Sequence, residues 1–158
     1  MAPPCFFPIL PCAMIGAHLN VVRITDSMAN PFVFPVRVYY EDTDAGGIVY
    51  NANYLKFMER ARTEFLRARG IEQDSLLEQG IAFVVTRTEI DFCSAARFNE
   101  LLEVQTSIVQ QRRASLRFEQ QIFAGDGRLV SKALVQIACV AIPQMKPVAI
   151  PDQVKGVL

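Results

Sequence analysis

Between Tyr39 and Tyr54 the chain reads YYEDTDAGGIVYNANY, a stretch that holds all four tyrosines, three acids and two adjacent glycines. Three chemistries could use the DTDAGG core. Asp42, Asp44 and Gly47 fit positions one, three and six of a calcium loop, but Gly46 stands at position five and Asn53 at position twelve, where a bidentate Glu is needed. A DxD strand end could serve magnesium-dependent phosphoryl transfer, yet the later strands supply none of the Lys and Asp motifs that such enzymes add. Metal-free acyl transfer asks for less. It needs one carboxylate to attack a carbonyl or activate water, and backbone N–H groups to hold the oxyanion. The bland alternative is that both aspartates only end a strand and cap a turn.

Such a turn must be positioned by its neighbours. Phe34 to Tyr40 alternates, with Phe34, Val36, Val38 and Tyr40 on one face, and reads as a half-buried strand with Pro35 at its beginning or on an edge. After the turn, Asn51 or Asn53 can cap a helix in which Tyr54, Phe57, Met58, Ala61, Phe65 and Ala68 draw one apolar stripe. The opposite side is charged, with Arg60, Glu64 and Arg67 at steps of three and four, and Gly70 supplies a stop. The acids therefore lie in a strand-to-helix turn, beside the open N–H groups of a helix N-terminus.

A short helix is expected from Glu72 to Gln79. Four strands follow, at Ile81 to Phe92, Leu101 to Val109, Ala114 to Phe123 and Leu129 to Ile142, rich in Val, Ile, Phe and Thr. Gly125-Asp126-Gly127 marks a hairpin. The order predicts an α+β fold, with an antiparallel sheet of about five strands facing one long helix. Leu101, Val109, Leu134 and Val140 fall on the opposite face of that sheet, which pairing with a second copy would cover.

With 158 residues and 51% hydrophobic content, the chain has material for one domain, taken as residues 30–158. Sixteen basic and sixteen acidic side chains cancel, which argues against nucleic acid or an anionic membrane as a partner. Cys5, Cys12, Cys93 and Cys139 have no CxxC spacing and His18 is the only histidine, so no zinc site is expected and the thiols suit a reducing compartment. Residues 1–29 read as a disordered or wrongly included leader with Met28 as an alternative start. Four prolines break their apolar run, which is shorter than the roughly 20 residues of a membrane span.

The run VRVYYEDTDAGGIVYNANYLKFMERARTEFLR, Val36 to Arg67, closely resembles the signature of the hotdog-fold acyl-CoA thioesterases of the 4-hydroxybenzoyl-CoA thioesterase family. The nearest likeness is the YbgC-like branch associated with the Tol-Pal cell-envelope system. It continues through AFVVTRTEIDFCSAARFNELLEV and KPVAIP, and covers Phe32 to Pro151. The resemblance implies a long helix wrapped by an antiparallel sheet, assembled as dimers or dimers of dimers. It also implies a cytoplasmic hydrolase that uses no metal or separate cofactor, coenzyme A being part of the substrate and acyl carrier protein an alternative carrier.

By the same resemblance, Asp44 is the catalytic carboxylate, acting as nucleophile through a mixed anhydride or as general base on water, with Tyr40 placed near it. Gly47, Ile48, Val49, Tyr50 and Asn51 would present the N–H that polarises the thioester carbonyl. Arg112, Arg113 and Ser115, with Arg117 after them, lie where relatives meet the nucleotide phosphates, which an arginine fork suits. In such dimers the pocket lies between subunits, so these arginines would serve the partner's carboxylate. One departure stands out: many YbgC-like members have histidine where this chain has Asn51, and asparagine carries no proton near neutral pH. That leaves a catalytically weak acyl-thioester binding or scaffold protein as the alternative to an enzyme.

Overall fold

A computed structural model of the chain describes residues 30–158. The expected leader lies outside the described residues. Strand β1 (Phe32–Arg37) leads through a single 3-10 turn at Tyr40–Asp42 into helix α1 (Asn51–Arg67), followed by helix α2 (Gln73–Glu78). Then come β2 (Ile81–Phe92), β3 (Leu101–Gln111), β4 (Ser115–Ala124) and β5 (Leu129–Ala141), the two-residue β6 (Lys146–Pro147) and the short helix α3 (Asp152–Lys155). All strand pairs are antiparallel, in the order β1-β3-β4-β5-β2, with β6 added beside β5. This is the α+β arrangement expected from the element order.

The order follows from the connections. β3, β4 and β5 are joined by short hairpins and so lie side by side, whereas α1 and α2 carry the chain from one edge of the sheet to the other. β1 and β2 therefore become opposite edges. Alternation decides which face is inward: Leu116, Phe118, Gln120, Ile122 and Ala124 of β4 are buried, and the residues between them are only half-buried.

Helix α1 lays Tyr54, Phe57, Met58, Ala61 and Phe65 on this concave face. Phe65 meets Phe32 of β1 and Phe118 of β4 edge to face, at ring separations of 5.9 and 5.6 Å. Phe57, Phe118 and Met58 are fully enclosed, and burial of each contributes about 1.5–3 kcal/mol. Gly70 ends the helix as expected: its φ of +74° suits glycine alone at low cost, and lets the Ile71 N–H reach back to the Leu66 carbonyl at 3.0 Å.

Several local expectations are corrected. β1 ends at Arg37, so Tyr40 is not on its inward face; the 3-10 turn turns it out and leaves it 82% exposed. Neither Asn51 nor Asn53 caps α1 through its side chain, because Tyr50 takes the cap position. Ala68 lies past the last helical turn and is exposed, while Arg62 and Asn53 are buried in the helix. On the outer face Leu101 is exposed and Leu134 half-buried as expected, but Val140 is buried beside its β6 partner Pro147.

Candidate active site

The two aspartates of the turn have separate fates. Asp42 is buried, and its carboxylate Oδ2 accepts the Tyr39 N–H at 2.9 Å. Its carbonyl accepts both the Tyr50 N–H at 2.9 Å and Asn53 Nδ2 at 3.0 Å, so it joins the entry of the turn to the start of α1. Buried and tied to the Tyr39 amide, the Asp42 carboxylate is withdrawn from solvent, which sets it apart from its neighbour two residues on. These bonds give Asp42 a supporting place in the turn.

Asp44 is exposed to solvent. Its Oδ1 accepts the Gly46 N–H at 2.8 Å, its N–H donates to the Ile48 carbonyl at 3.0 Å, and its carbonyl accepts the Gly47 N–H at 2.9 Å. Gly47 has φ +71°, the left-handed conformation that lets the loop close so tightly. The carboxylate is thus oriented through one oxygen, while Oδ2 has no hydrogen-bond partner among the described residues.

The far side of the turn is anchored in the core. Val49 is 2% exposed, and its N–H donates to the Ala96 carbonyl at 2.8 Å. Immediately after it, the Asn51 and Ala52 amides begin α1 and have no carbonyl acceptor among the described residues. Open amides at the positive end of a 17-residue helix can hold an oxyanion. Asn51 is exposed and its side chain makes no hydrogen bond among the described residues, so it is available to a ligand.

The structure brings Asp44, Gly47, Ile48, Val49, Tyr50 and Asn51 into one tight loop and helix start. Tyr40 stands two residues before Asp42, its ring edge to face with Phe98 at 6.2 Å. Arg112, Arg113 and Ser115 are elsewhere in the same subunit. They occupy the β3–β4 hairpin, where the Arg112 N–H donates to the Ser115 carbonyl at 2.8 Å, and both arginines are exposed. The acidic turn packs at the Leu101 end of β3 and the hairpin follows Gln111; the eleven-residue strand, ten steps of about 3.3 Å, separates them by roughly 33 Å.

Two contributors were not legible as site residues. Tyr54 sits at the head of the apolar stripe, 4% exposed, and its hydroxyl accepts the Ala96 N–H at 3.2 Å. Burial pushes its pKa up, the Ala96 hydrogen bond opposes this, and the charges of Glu100 and Asp44 add to the rise. The signal was available, since a buried tyrosine hydroxyl needs a polar partner. Segment 93–100 itself has no periodicity to mark it. Among the described residues, no cluster of three or more His, Cys, Asp or Glu side chains is placed to hold a metal ion. No helix among them is long and apolar enough to cross a membrane.

Residues 38–158 match the model of the thioesterase-like superfamily. The chain is 53% identical over 128 residues to the acyl-CoA thioesterase YbgC of Haemophilus influenzae, covering 80% of this chain and 93% of that protein. It is 46% identical over 123 residues to the acyl-CoA thioester hydrolase YbgC of Escherichia coli, covering 78% and 92%. Among solved structures, a probable thioesterase from Bartonella henselae superimposes with a TM-score of 0.72 at 38% identity, covering 77% of this chain and all of that one. Fold, turn and sequence therefore agree: the chain belongs to the thioesterase-like superfamily of hotdog proteins and is YbgC-like within it.

Proposed function

We propose that this protein is an acyl-CoA thioesterase that hydrolyses an acyl-CoA thioester to a carboxylic acid and coenzyme A at the Asp44 turn. The observation that carries the reading is the exposed Asp44 carboxylate, held by the Gly46 amide in the loop that opens onto the unpaired amides of α1. As general base, Asp44 takes a proton from water while the oxygen adds to the thioester carbon. The helix-start amides hold the oxyanion, and collapse expels the thiolate, which takes up the proton. As nucleophile, the carboxylate expels the thiolate first and water then cleaves the mixed anhydride. Both routes use the same atoms.

The free β2 edge supports a homodimer. The outer side of this twelve-residue strand has no strand partner among the described residues, and with Val85 and Phe92 about half exposed it would meet a second copy. Antiparallel pairing of two such edges sets the far end of one subunit beside the site end of the other. That would offer the partner subunit's Arg112, Arg113 and Ser115 to the nucleotide of a substrate at Asp44. A dimer of such dimers, a cytoplasmic setting, and acyl carrier protein as an alternative carrier of the acyl group belong to the same proposal.

Thiol release from a panel of acyl-CoAs, measured beside direct acyl-CoA binding, tests the reading. Turnover of at least one acyl-CoA is expected. Tight binding without turnover would contradict it, and would favour an acyl-thioester binding or scaffold role linked to the Tol-Pal system.

A further inference from the structure

The turn that carries Asp44 is braced from behind by segment 94–100, the connection between β2 and β3. The Val38 N–H donates to the Glu100 carbonyl at 3.0 Å, the Asn99 N–H to the Val38 carbonyl at 2.9 Å, and the Val49 N–H to the Ala96 carbonyl at 2.8 Å. Ile48 bridges to Arg97, and the Tyr54 hydroxyl takes the remaining Ala96 amide. The segment has no helix or strand of its own, so its shape must come from elsewhere.

Beside those backbone bonds and the Arg37 Nη1 donation to the Asn99 carbonyl at 2.7 Å, one side chain ties its two ends together. Arg128, just past the Gly125-Asp126-Gly127 turn, donates through Nη1 to the Ala95 carbonyl at 2.6 Å and to Ser94 Oγ at 3.0 Å. Through Nη2 it meets both carboxylate oxygens of Glu100, at 3.1 and 3.4 Å. Ser94 Oγ in turn donates to the Leu129 carbonyl at 2.7 Å, which closes the tie onto β5. A planar guanidinium can satisfy acceptors at both ends of the segment at once, whereas an ammonium is a single point of charge.

We infer that Arg128 is a positioning residue of the thioester site, acting through segment 94–100 on the loop that holds Asp44 and the start of α1. This rests on the Asp44 site proposed above. A catalytic geometry set by hydrogen bonds through an irregular segment is sensitive to them, because a shift of about 1 Å can cost on the order of 100-fold in rate.

The test compares Arg128→Gln, Arg128→Lys and Asp44→Asn with the parent chain, and uses Lys132→Ala, which loses only an exposed ion pair with Asp91, as the control. Steady-state kinetics with a turned-over acyl-CoA are read beside amide hydrogen exchange. Arg128→Gln should lower kcat about 10- to 100-fold with a much smaller change in KM. Exchange at Val38, Val49 and Asn99 should quicken while the β3 and β4 ladders keep their protection. Arg128→Lys should recover part of the loss. Unchanged kcat, or a loss accompanied by faster exchange throughout the sheet, would overturn the inference. Full activity in Asp44→Asn would instead remove the site assignment, and exchange at Val49 in Arg128→Gln would still decide whether Arg128 orders the turn.

Discussion

The carboxylate of Asp42 is buried and takes the Tyr39 amide, while that of Asp44, two residues on, is aimed by a glycine amide and left open to solvent. Gly46 makes this possible twice over, by donating its N–H and by having no side chain: a Cβ there would lie 3.0 Å from Asp44 Oδ1. Gly46→Ala should therefore displace the carboxylate and lower kcat about tenfold or more with little loss of thermal stability; wild-type kcat would show that the placement does not matter. Tyr54 makes a pH prediction. Its folded pKa lies above that of the unfolded chain, so the folded protein binds the extra proton and stability should fall as pH rises from about 10 through the folded value. Tyr54→Phe should lose that decline, at the cost of about 1–3 kcal/mol at neutral pH for the orphaned Ala96 amide. Urea unfolding from pH 7 to 11 checks both, and an unchanged alkaline slope would contradict the first.

Helix α1 was legible because apolar residues at steps of three and four can only share one face, and Tyr54 to Phe65 do so. Its departures come from tertiary contacts that periodicity does not contain. Arg62 is 7% exposed, and burial pulls its pKa down while Glu59 pushes it back. It is held in the core by donating to Gln120 Oε1 at 2.6 Å and by its ion pair with Glu59. Gln120 is itself fully buried and donates to the Met58 carbonyl at 2.9 Å and to Thr106 Oγ1 at 3.0 Å, so one side chain links helix, β3 and β4. Gln120→Leu should leave the guanidinium short of an acceptor and destabilise the fold by about 3 kcal/mol, seen as a lower denaturant midpoint with an unchanged slope. A shift below about 0.5 kcal/mol would mean that the network is replaceable by packing. Tyr40 illustrates the opposite failure. Alternation extended the strand to it, but the Asp42 N–H donates to the Tyr39 carbonyl at 3.1 Å and closes a 3-10 turn first.

Across the molecule, strand content and antiparallel pairing could be read from period-two runs and short connections, whereas the sheet order could not, because it depends on how far the helices carry the chain. The acidic turn was visible as local sequence. Its bracing was not, since Arg128 meets Ala95 across 33 residues. The outer edge of β2, without a strand partner among the described residues, sets the prediction at this scale: Val85→Lys, placing a charge on a half-exposed edge position, should reduce the mass measured by sedimentation toward that of one chain. An unchanged mass would place the contact between copies elsewhere. Catalysis remains the central claim, and Asp44→Asn tests it most directly, because the amide keeps the shape of the side chain while removing its charge. Measured as thiol release from an acyl-CoA that the parent chain hydrolyses, the variant should lose at least about 100-fold in kcat and still bind acyl-CoA. Turnover equal to that of the parent chain would contradict the account.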